Sequence, residues 1–554
     1  MMNCENIYKY HNISFKDLLN KNNNYMKTVL ITTSGIGSRL SNITEYINKS
    51  LIRIGDKFAI SYIIDKYDIK NTRFVITLGY YGNLVKEFLE IAYKDAYFEY
   101  ILVDNYDKEG SSQAYSLLQA KHLLQCPFTY YCCDSIILDN LNDLNDNINE
   151  NYIYVSNSND TNSYSSINIL NDKIIKVNHK GELKCDYDYV YTGVSHIINY
   201  KEYWKILQSL YDLNINDKYL GDIELINNLI KNNIIFKYKV VNQWYDIGNM
   251  KSYTNAINNL KCNYDILYKN DESICFFHDK VIKFFSDKKK TEDRVIRGKL
   301  LYPNSPMILD ENDHFFSMEK INGSVLSNYY VHGELYKLLE WALKYLWINM
   351  SINESYKANC INFYYNKTLN RINQLILIQN DNEINIINGL SILPINQLLN
   401  KIDHELLVTD TFYQYHGDFI LDNIIKTADG YKLIDWRQDF DGNISHGDIY
   451  YDLAKFRHNI IFNHHNIDNN LFTINYDTNN TVIIDLKCNY FLIKQLEEYD
   501  KFILSHNFNL KKIKILTALI WINMSPLHEY NISQFLFYFG KYNLALELNS
   551  YTRP

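Results

Sequence analysis

The chain has 554 residues, too many for one compact core at the usual ~100–200 residues per domain. Hydrophobic residues make up 47% and charged residues 22%, which supplies material for sizeable cores and excludes a chain disordered throughout. The formal net charge of −8 argues against a general nucleic-acid binder, because phosphate neutralisation requires a basic surface. The nine cysteines are scattered and include no Cys-x-x-Cys pair, so neither a zinc ribbon nor a thioredoxin motif is supported. The opening MMNCENIYKY lacks the basic-then-apolar pattern of a secretory signal. No apolar run reaches the ~18 residues of a spanning helix, and ILTALIWINM reads as a buried helix. The expectation is a reduced, cytoplasmic protein with no membrane insertion and no nucleic-acid partner.

Residues 1–25 form a polar extension with one short helical stretch at SFKDLL. From Met26 short apolar strands alternate with helical segments. TVLITT is a strand followed by a glycine turn. RFVITLG leads into the helix YGNLVKEFLEIAYK, YILVDN into SSQAYSLLQAKHLL, and FTYYCCDSII follows as a strand. This alternation implies a largely parallel sheet with helices on its faces, whose ligands gather at the carboxyl ends of the strands. The pattern changes near residues 260–275, and the domains are placed at 26–262 and 263–554. The second half opens with a strand pair around SICFFHDKVIKFF. Long helical patterns follow, among them GELYKLLEWALKYLWINM and FLIKQLEEYDKFILSH, so this half reads as α+β.

The first motif is SGIGSRL, which puts Gly35 and Gly37 between a strand and a helix. Glycines there let backbone N–H groups approach phosphate closely. A dinucleotide fingerprint is damaged by Leu40 at its third glycine, and no Gly-Lys-Ser/Thr follows for a P-loop. Arg39 and Lys49 add two cations able to hold a triphosphate and offset charge on leaving pyrophosphate. Asp134 ends an apolar strand and Asp246 precedes a glycine turn, so both are candidate metal-binding carboxylates.

Taken together, Gly35-Ile-Gly37-Ser38-Arg39-Leu40, Asn48-Lys49-Ser50-Leu51, Asp134 and Asp246-Ile-Gly248 resemble the sugar-1-phosphate and phosphocholine nucleotidyltransferase family. The resemblance implies a Rossmann-like α/β fold, Mg²⁺ held by the two aspartates, and base contacts from Gly110, Ser111, Ser112 and Gln113. It places Thr192 and Gly193 on the acceptor side, with Arg39 and Lys49 as catalytic cations and Gly35, Gly37 and Ser38 on the nucleotide. Thr32-Thr33-Ser34 and Asn48 depart from the family's Ala-Ala-Gly and Pro.

The second motif is YHGDFILDN followed by YKLIDWRQDF, which sets Asp418, Asn423 and Asp435 in a short span. A kinase needs a carboxylate for the substrate hydroxyl and oxygen ligands for nucleotide-bound Mg²⁺. Upstream, Lys283 stands on an expected strand and Glu292 begins a helical stretch that would let the two pair. SMEKINGS, containing Met318 and Glu319, reads as the segment beneath the adenine. His416-Gly417-Asp418 with Asn423, Ile434-Asp435-Trp436 and HGDIYYDLAKF resemble the choline kinase and aminoglycoside phosphotransferase family. That implies a two-lobed, protein-kinase-like α+β fold, Asp418 as catalytic base, and Asn423 and Asp435 as metal ligands. It also implies that Lys283, Glu292, Met318 and Glu319 bind the nucleotide, and that Asp448 and Asp452 support the loop. The strand pair carries no glycine where this family covers the phosphates. Trp341, Trp347, Trp436 and Trp521 read first as core, with a cage for a quaternary ammonium as the alternative.

A kinase makes a phosphomonoester and a nucleotidyltransferase of the first type consumes one. The expectation is a bifunctional enzyme for capsule or surface-glycan decoration. It would use ATP, a second NTP (CTP by the head-group resemblance), Mg²⁺, and an acceptor such as choline, an amino alcohol or a sugar. A sugar kinase joined to a sugar-1-phosphate nucleotidyltransferase, or a nucleotide-binding scaffold with one inactive domain, are the alternatives.

Overall fold

The computed structural model describes residues 27–140, 149–182, 187–262, 264, 269–328, 333–350, 356–379, 383–477, 480–488 and 490–552. The polar extension over 1–25 lies outside them. The chain divides into two compact units. One runs to Phe277 and takes in Val281–Ser286 and Asn312–Phe315; the other holds His278–Lys280, Asp287–Glu311 and everything from Phe316 onward. The stretch 263–277, assigned by sequence to the second domain, thus groups with the first unit.

In the first unit, β1 (Lys27–Thr32) runs parallel to β2 (Thr72–Leu78), and β2 runs parallel to β3 (Tyr97–Leu102). On its other side β1 pairs in parallel with β4 (Phe128–Cys132), Thr32 lying opposite Cys132. Val29, Leu30 and Ile31 are fully buried, as the continuous apolar run requires of a strand covered on both faces. Helix α1 (Gly82–Ala92) joins β2 to β3 and buries Leu84, Val85, Phe88 and Leu89 on one face. The short α2 (Gln113–Gln119) precedes β4. Strand β3 starts three residues before the expected YILVDN and ends at Leu102, because pairing with β2 extends from Arg73–Tyr97 to Leu78–Leu102.

The expected single strand FTYYCCDSII is broken. A turn at Cys133–Asp134 separates β4 from β5 (Ser135–Ile137). Antiparallel strands then widen the sheet: β6 (Asn151–Ser156), β7 (Ser166–Leu170), β8 (Lys173–Asn178) and β9 (Tyr189–Ile197), with β9 pairing with β4, β6 and β7. Helices α3 (Tyr200–Leu213) and α4 (Asp222–Lys231) lead to β10 (Phe236–Val241), parallel to β6. Strand β11 (Trp244–Asp246) pairs with β5, placing Asp246 opposite Ser135, and α5 (Met250–Asn259) follows. The sheet is thus mixed and mostly parallel around β1, and its strand order reverses between β1 and β4. A crevice at the carboxyl ends of two such strands is where ligands collect in open α/β sheets. The hairpin β12 (Glu272–Phe276) and β13 (Lys280–Phe285) agrees with the expected strand pair.

The second unit begins with α6 (Lys288–Leu301), capped by the Asp287 side chain, and the hairpin β14 (Ile308–Glu311) and β15 (Phe315–Glu319). A three-stranded sheet follows from β16 (Ser324–Val325), β17 (Ile424–Thr427) and β18 (Gly430–Leu433). The main helices are α7 (Glu334–Tyr345), α8 (Lys367–Gln379), α9 (Ile449–Ile461), α10 (Tyr490–Ser505), α11 (Leu510–Met524) and α12 (Tyr530–Glu547). Helix α11 is buried from Ile515 to Ile522, which is why ILTALIWINM is apolar on all sides. Among the described residues no helix is long and apolar enough to cross a membrane.

Candidate functional site

In the first unit the site forms at the strand-order reversal. Beyond β1 the chain turns through Gly35 and Gly37 into a 3₁₀ segment, Ser38–Thr44. Gly37 has φ 72°, a left-handed conformation that glycine adopts without strain. A Cβ there would press on Thr44 and Lys49 at 3.1 and 3.3 Å, so the loop closes tightly over Lys49. Asn48 explains its own departure from the family pattern. Its buried amide donates to Thr33 O at 2.8 Å and Tyr80 O at 2.5 Å, while its Oδ1 accepts from Ser50 N–H at 2.8 Å. The loop is therefore fastened by a side chain.

Lys49 Nζ sits 2.9 Å from Asp134 Oδ2. Burial alone would lower the Lys49 ammonium, but the Asp134 charge outweighs it and the group is held well above its ordinary value. For Asp134 burial opposes ionisation, and Lys49, then Arg39, pull the carboxyl below the usual range. Strand β11 brings Asp246 alongside, and Ile247 N–H donates to Asp134 O at 2.9 Å. Burial first, then the Asp134 charge, raises Asp246. Gly248 marks the convergence: a Cβ there would lie 3.0 Å from Asp134 Oδ2, 3.1 Å from Asp246 Oδ1 and 3.5 Å from Arg39 Nη2. Two carboxylates and a guanidinium thus surround one point, with Lys49 behind Asp134. Two carboxylate oxygens suit Mg²⁺, which completes its shell with water and substrate phosphates. Among the described residues no cluster of three or more metal-binding groups occurs.

The remaining first-unit candidates are placed as follows. Gly35 and Ser38 are exposed on the loop. Gly110 has φ 83° and its carbonyl accepts from Tyr211 OH, while Ser111 Oγ donates to Tyr106 O. Ser112 caps α2 through Tyr115 N–H. Gln113 is engaged on both ends: Nε2 donates to Tyr130 OH at 2.5 Å and Oε1 accepts from Asp222 N–H at 3.2 Å. Thr192 is buried and donates to Tyr154 O at 2.8 Å; Gly193, at φ 81°, packs against Cys132. Asp222, which the sequence reading missed, is buried at the head of α4 and accepts from Tyr191 OH at 2.9 Å. Burial raises it to about 6.

In the second unit the YHGDFILDN loop is held from beneath. Asp452 of α9 accepts from His416 N–H, Gly417 N–H and Trp347 Nε1 at 2.7, 2.6 and 3.0 Å. Burial raises Asp452 to about 6 against those three donors. Burial also lowers His416 to about 4, so the ring is neutral; its Nδ1 accepts from Asp418 N–H and its Nε2–H meets Ile434 O. Arg297 of α6 is buried and donates to the carbonyls of Tyr415, Arg437 and Ile444.

On this frame Asp418 is bracketed. Lys455 Nζ lies 2.7 Å from its Oδ1, and Asn423 Nδ2 donates to its Oδ2 at 3.1 Å. Burial resists the Asp418 charge, but Lys455 prevails and the carboxyl stays below its ordinary value. Asn423 turns its amide nitrogen to Asp418, which leaves Oδ1 as its remaining polar atom. Asp435 sits at φ 56° and pairs with Arg294 at 3.1 Å, a cation that the sequence reading did not anticipate. Glu292 makes an ion pair with Lys289 at 3.2 Å on an exposed helical face, as i,i+3 neighbours sit side by side on a helix. Lys283 lies on β13, opposite Ile274, within the first unit. Met318 is buried, and Glu319 exchanges two hydrogen bonds with the Met307 backbone. Three of the tryptophans are core: Trp436 and Trp521 are fully buried, and Trp347 is buried and donates to Asp452, whereas Trp341 is half-buried against Tyr345 and Tyr431.

Lys455 and Arg294 were missed because each stands in a helical stretch whose charge pattern is that of any solvated face; only folding turns them inward. No family model matches the sequence, and no curated protein matches it either. Among solved structures the chain is similar to a Bacillus anthracis protein assigned as a glucose-1-phosphate thymidylyltransferase. The identity is 20%, over 44% of this chain and 98% of that one, with a TM-score of 0.37. It is similar to the CTP:phosphocholine cytidylyltransferase of Streptococcus pneumoniae at 19% identity, over 42% and 100% of the two chains, with a TM-score of 0.36. It is also similar to the inositol-1-phosphate CTP transferase of T. maritima at 16% identity, over 44% and 99%, with a TM-score of 0.35.

Proposed function

We propose that the chain is a bifunctional kinase and nucleotidyltransferase that phosphorylates a small hydroxyl compound and then couples the phosphomonoester to an NTP, with CTP the first candidate. The observation that carries the reading is the convergence of Asp134, Asp246 and Arg39 about Gly248, with Lys49 on Asp134. In the coupling step an acceptor phosphate oxygen attacks the α-phosphorus and the bond to pyrophosphate breaks. No protein nucleophile is required, so positioning and charge stabilisation are the work of the site. Arg39 and Lys49 supply positive charge where it grows on the leaving group. Asp134 and Asp246 are the residues that would hold Mg²⁺, which supplies charge neutralisation to the phosphates.

In the second unit Asp418 orients the acceptor hydroxyl and takes its proton as the oxygen attacks the γ-phosphorus and ADP leaves. Lys455 and Asn423 fix the carboxylate in one orientation. Asn423 and Asp435 are the oxygen ligands available for nucleotide-bound Mg²⁺. The product of this step is the substrate class of the other.

The full chain incubated with ATP, CTP, Mg²⁺ and a panel of acceptors tests this by mass spectrometry. Asp134→Asn is expected to abolish the NDP-linked product and spare ADP release; Asp418→Asn is expected to abolish ADP release and with it the NDP-linked product, which returns when the acceptor is supplied already phosphorylated. If neither substitution changes turnover, the bifunctional reading is wrong.

A further inference from the structure

A pocket of about 410 Å³ opens beside the Asp418 loop in the second unit. One wall is the π turn Asn362–Asn366 and the start of α8, which present Asn362, Asn366 and Asn370 at four-residue spacing. π turns within helices recur at functional sites. The other wall is Arg437, whose N–H donates to His416 O at 3.1 Å. Its stem packs on Gly417, where a Cβ would come within 2.5 Å of Arg437 Cβ. The pocket is therefore built onto the backbone that carries Asp418.

Its charges are unevenly satisfied. Lys367 Nζ and the Arg437 guanidinium both lie over the ring of Phe363, at 4.5 and 5.0 Å from its centre. Arg437 gives its Nε to Asp439 O at 3.0 Å, and Lys367 makes no ion pair among the described residues. The two carboxylates at the rim already have donors. Asp441 Oδ2 accepts from the amides of Asn359 and Asn362 at 3.2 Å each, and Asp439 Oδ1 accepts from Gly442 N–H at 2.8 Å.

Burial first, then Arg437, Arg371 and Lys455, lowers the Lys367 ammonium to about 7, with Asp439 alone pulling the other way. Two cations over one ring repel, and an anion placed between them removes that repulsion. A quaternary ammonium would add positive charge beside Lys367 and Arg437, against the two rim carboxylates, and among the described residues no tryptophan lines the pocket to cage it.

We propose that this pocket binds an oxyanion, a carboxylate or a phosphate, carried by the hydroxyl acceptor that Asp418 orients. The assignment rests on the kinase reading of that loop. It makes the acceptor an anionic or zwitterionic alcohol in preference to choline. Arg437 and Lys367 grip the oxyanion, Phe363 forms the floor, and the asparagines offer hydrogen bonds to the rest of the molecule.

The test uses the full chain with Mg²⁺. Calorimetric titration with D-glycerate and with glycerol 3-phosphate is compared with glycerol and choline as neutral and cationic probes, and ADP release from ATP is followed with each. At least one anion is expected to bind at least tenfold more tightly than glycerol and choline, and which one distinguishes carboxylate from phosphate. Lys367→Met should weaken that binding at least tenfold and leave the KM for ATP unchanged, while Lys367→Arg should retain it. Lys367-dependent anion binding without ADP release from any acceptor would uphold the pocket and sink the kinase reading. Preferred phosphorylation of choline would uphold the kinase and overturn the pocket. Failure of both anions to bind, or a Lys367→Met effect confined to ATP, would also overturn it.

Discussion

Replacing Asn48 probes how the glycine loop is held. The side chain is fully buried and makes three hydrogen bonds, donating to Thr33 O and Tyr80 O and accepting from Ser50 N–H. Each such bond contributes roughly 1 kcal/mol net, and buried backbone groups left unpaired add to the loss. Asn48→Ala should therefore weaken the loop by about 2–3 kcal/mol. Asn48→Pro separates side chain from backbone, because the native φ of −66° and ψ of 145° already suit proline. It should regain roughly 0.4–1 kcal/mol through the unfolded chain and remain weaker than the native protein. Since the chain has two units, a global melting curve mixes their transitions, and local exchange is the cleaner readout. Amide hydrogen exchange over residues 48–52 should accelerate roughly 30- to 140-fold in Asn48→Ala, at about tenfold per 1.4 kcal/mol. Pyrophosphate release should fall with it, since Lys49 is the next residue. Exchange within threefold of the native rate would refute the assignment of Asn48 as the fastener.

Lys49→Met should leave Asp134 without its ammonium, with Arg39 the remaining cation, and reduce pyrophosphate release about 100-fold or more, the scale of a lost transition-state charge contact; a loss under threefold counts against it. Asp222 titrates at about 6 in the fold against about 3.9 unfolded, so the folded state binds the extra proton between those values. Its contribution is fully present below pH 4 and is lost as pH rises to 6, a change on the order of 3 kcal/mol, and Asp222→Asn should flatten that slope in urea titrations of the first unit. Lys512→Met should strand the buried Asp448, now 2.9 Å from Lys512 Nζ, and destabilise the second unit by about 3–5 kcal/mol; adding Asp448→Asn should recover much of it in the same denaturation assay.

The parallel strands and their helices were legible because Val29–Ile31 and Phe74–Ile76 are continuous apolar runs, the signature of strands covered on both faces. The break after Cys132 was not, because CCDSII keeps its apolar character through the turn and only pairing with Trp244–Asp246 reveals it. Asp134 and Asp246 were found as separate motifs, yet their meeting depends on the β5–β11 pairing, which no local spacing encodes. The Lys289–Glu292 ion pair was legible in KKKTED, where the two stand three residues apart on one helix. Lys455 and Arg294 escaped notice because a cation on an amphipathic helix looks like solvated surface until its partner carboxylate is known.

The two constellations solve one electrostatic problem in the same way. Each needs an ionised carboxylate in a buried place, where desolvation favours the neutral acid. Each supplies a half-buried ammonium in direct contact, Lys49 on Asp134 at 2.9 Å and Lys455 on Asp418 at 2.7 Å, and in each that contact favours the charged carboxyl. Each then places a second aspartate within reach of the first one's charge, Asp246 by Asp134 and Asp435 by Asp418. The second aspartates differ. Asp246 is raised by burial and then by its neighbour, whereas Asp435 is paired with Arg294. It follows that positive charge arriving with a nucleotide is needed more at the first site than at the second. Substituting Arg294 with Met should push the second site toward the first, making ADP release depend more steeply on Mg²⁺ concentration; an unchanged dependence would mean that Arg294 only positions the Asp435 backbone.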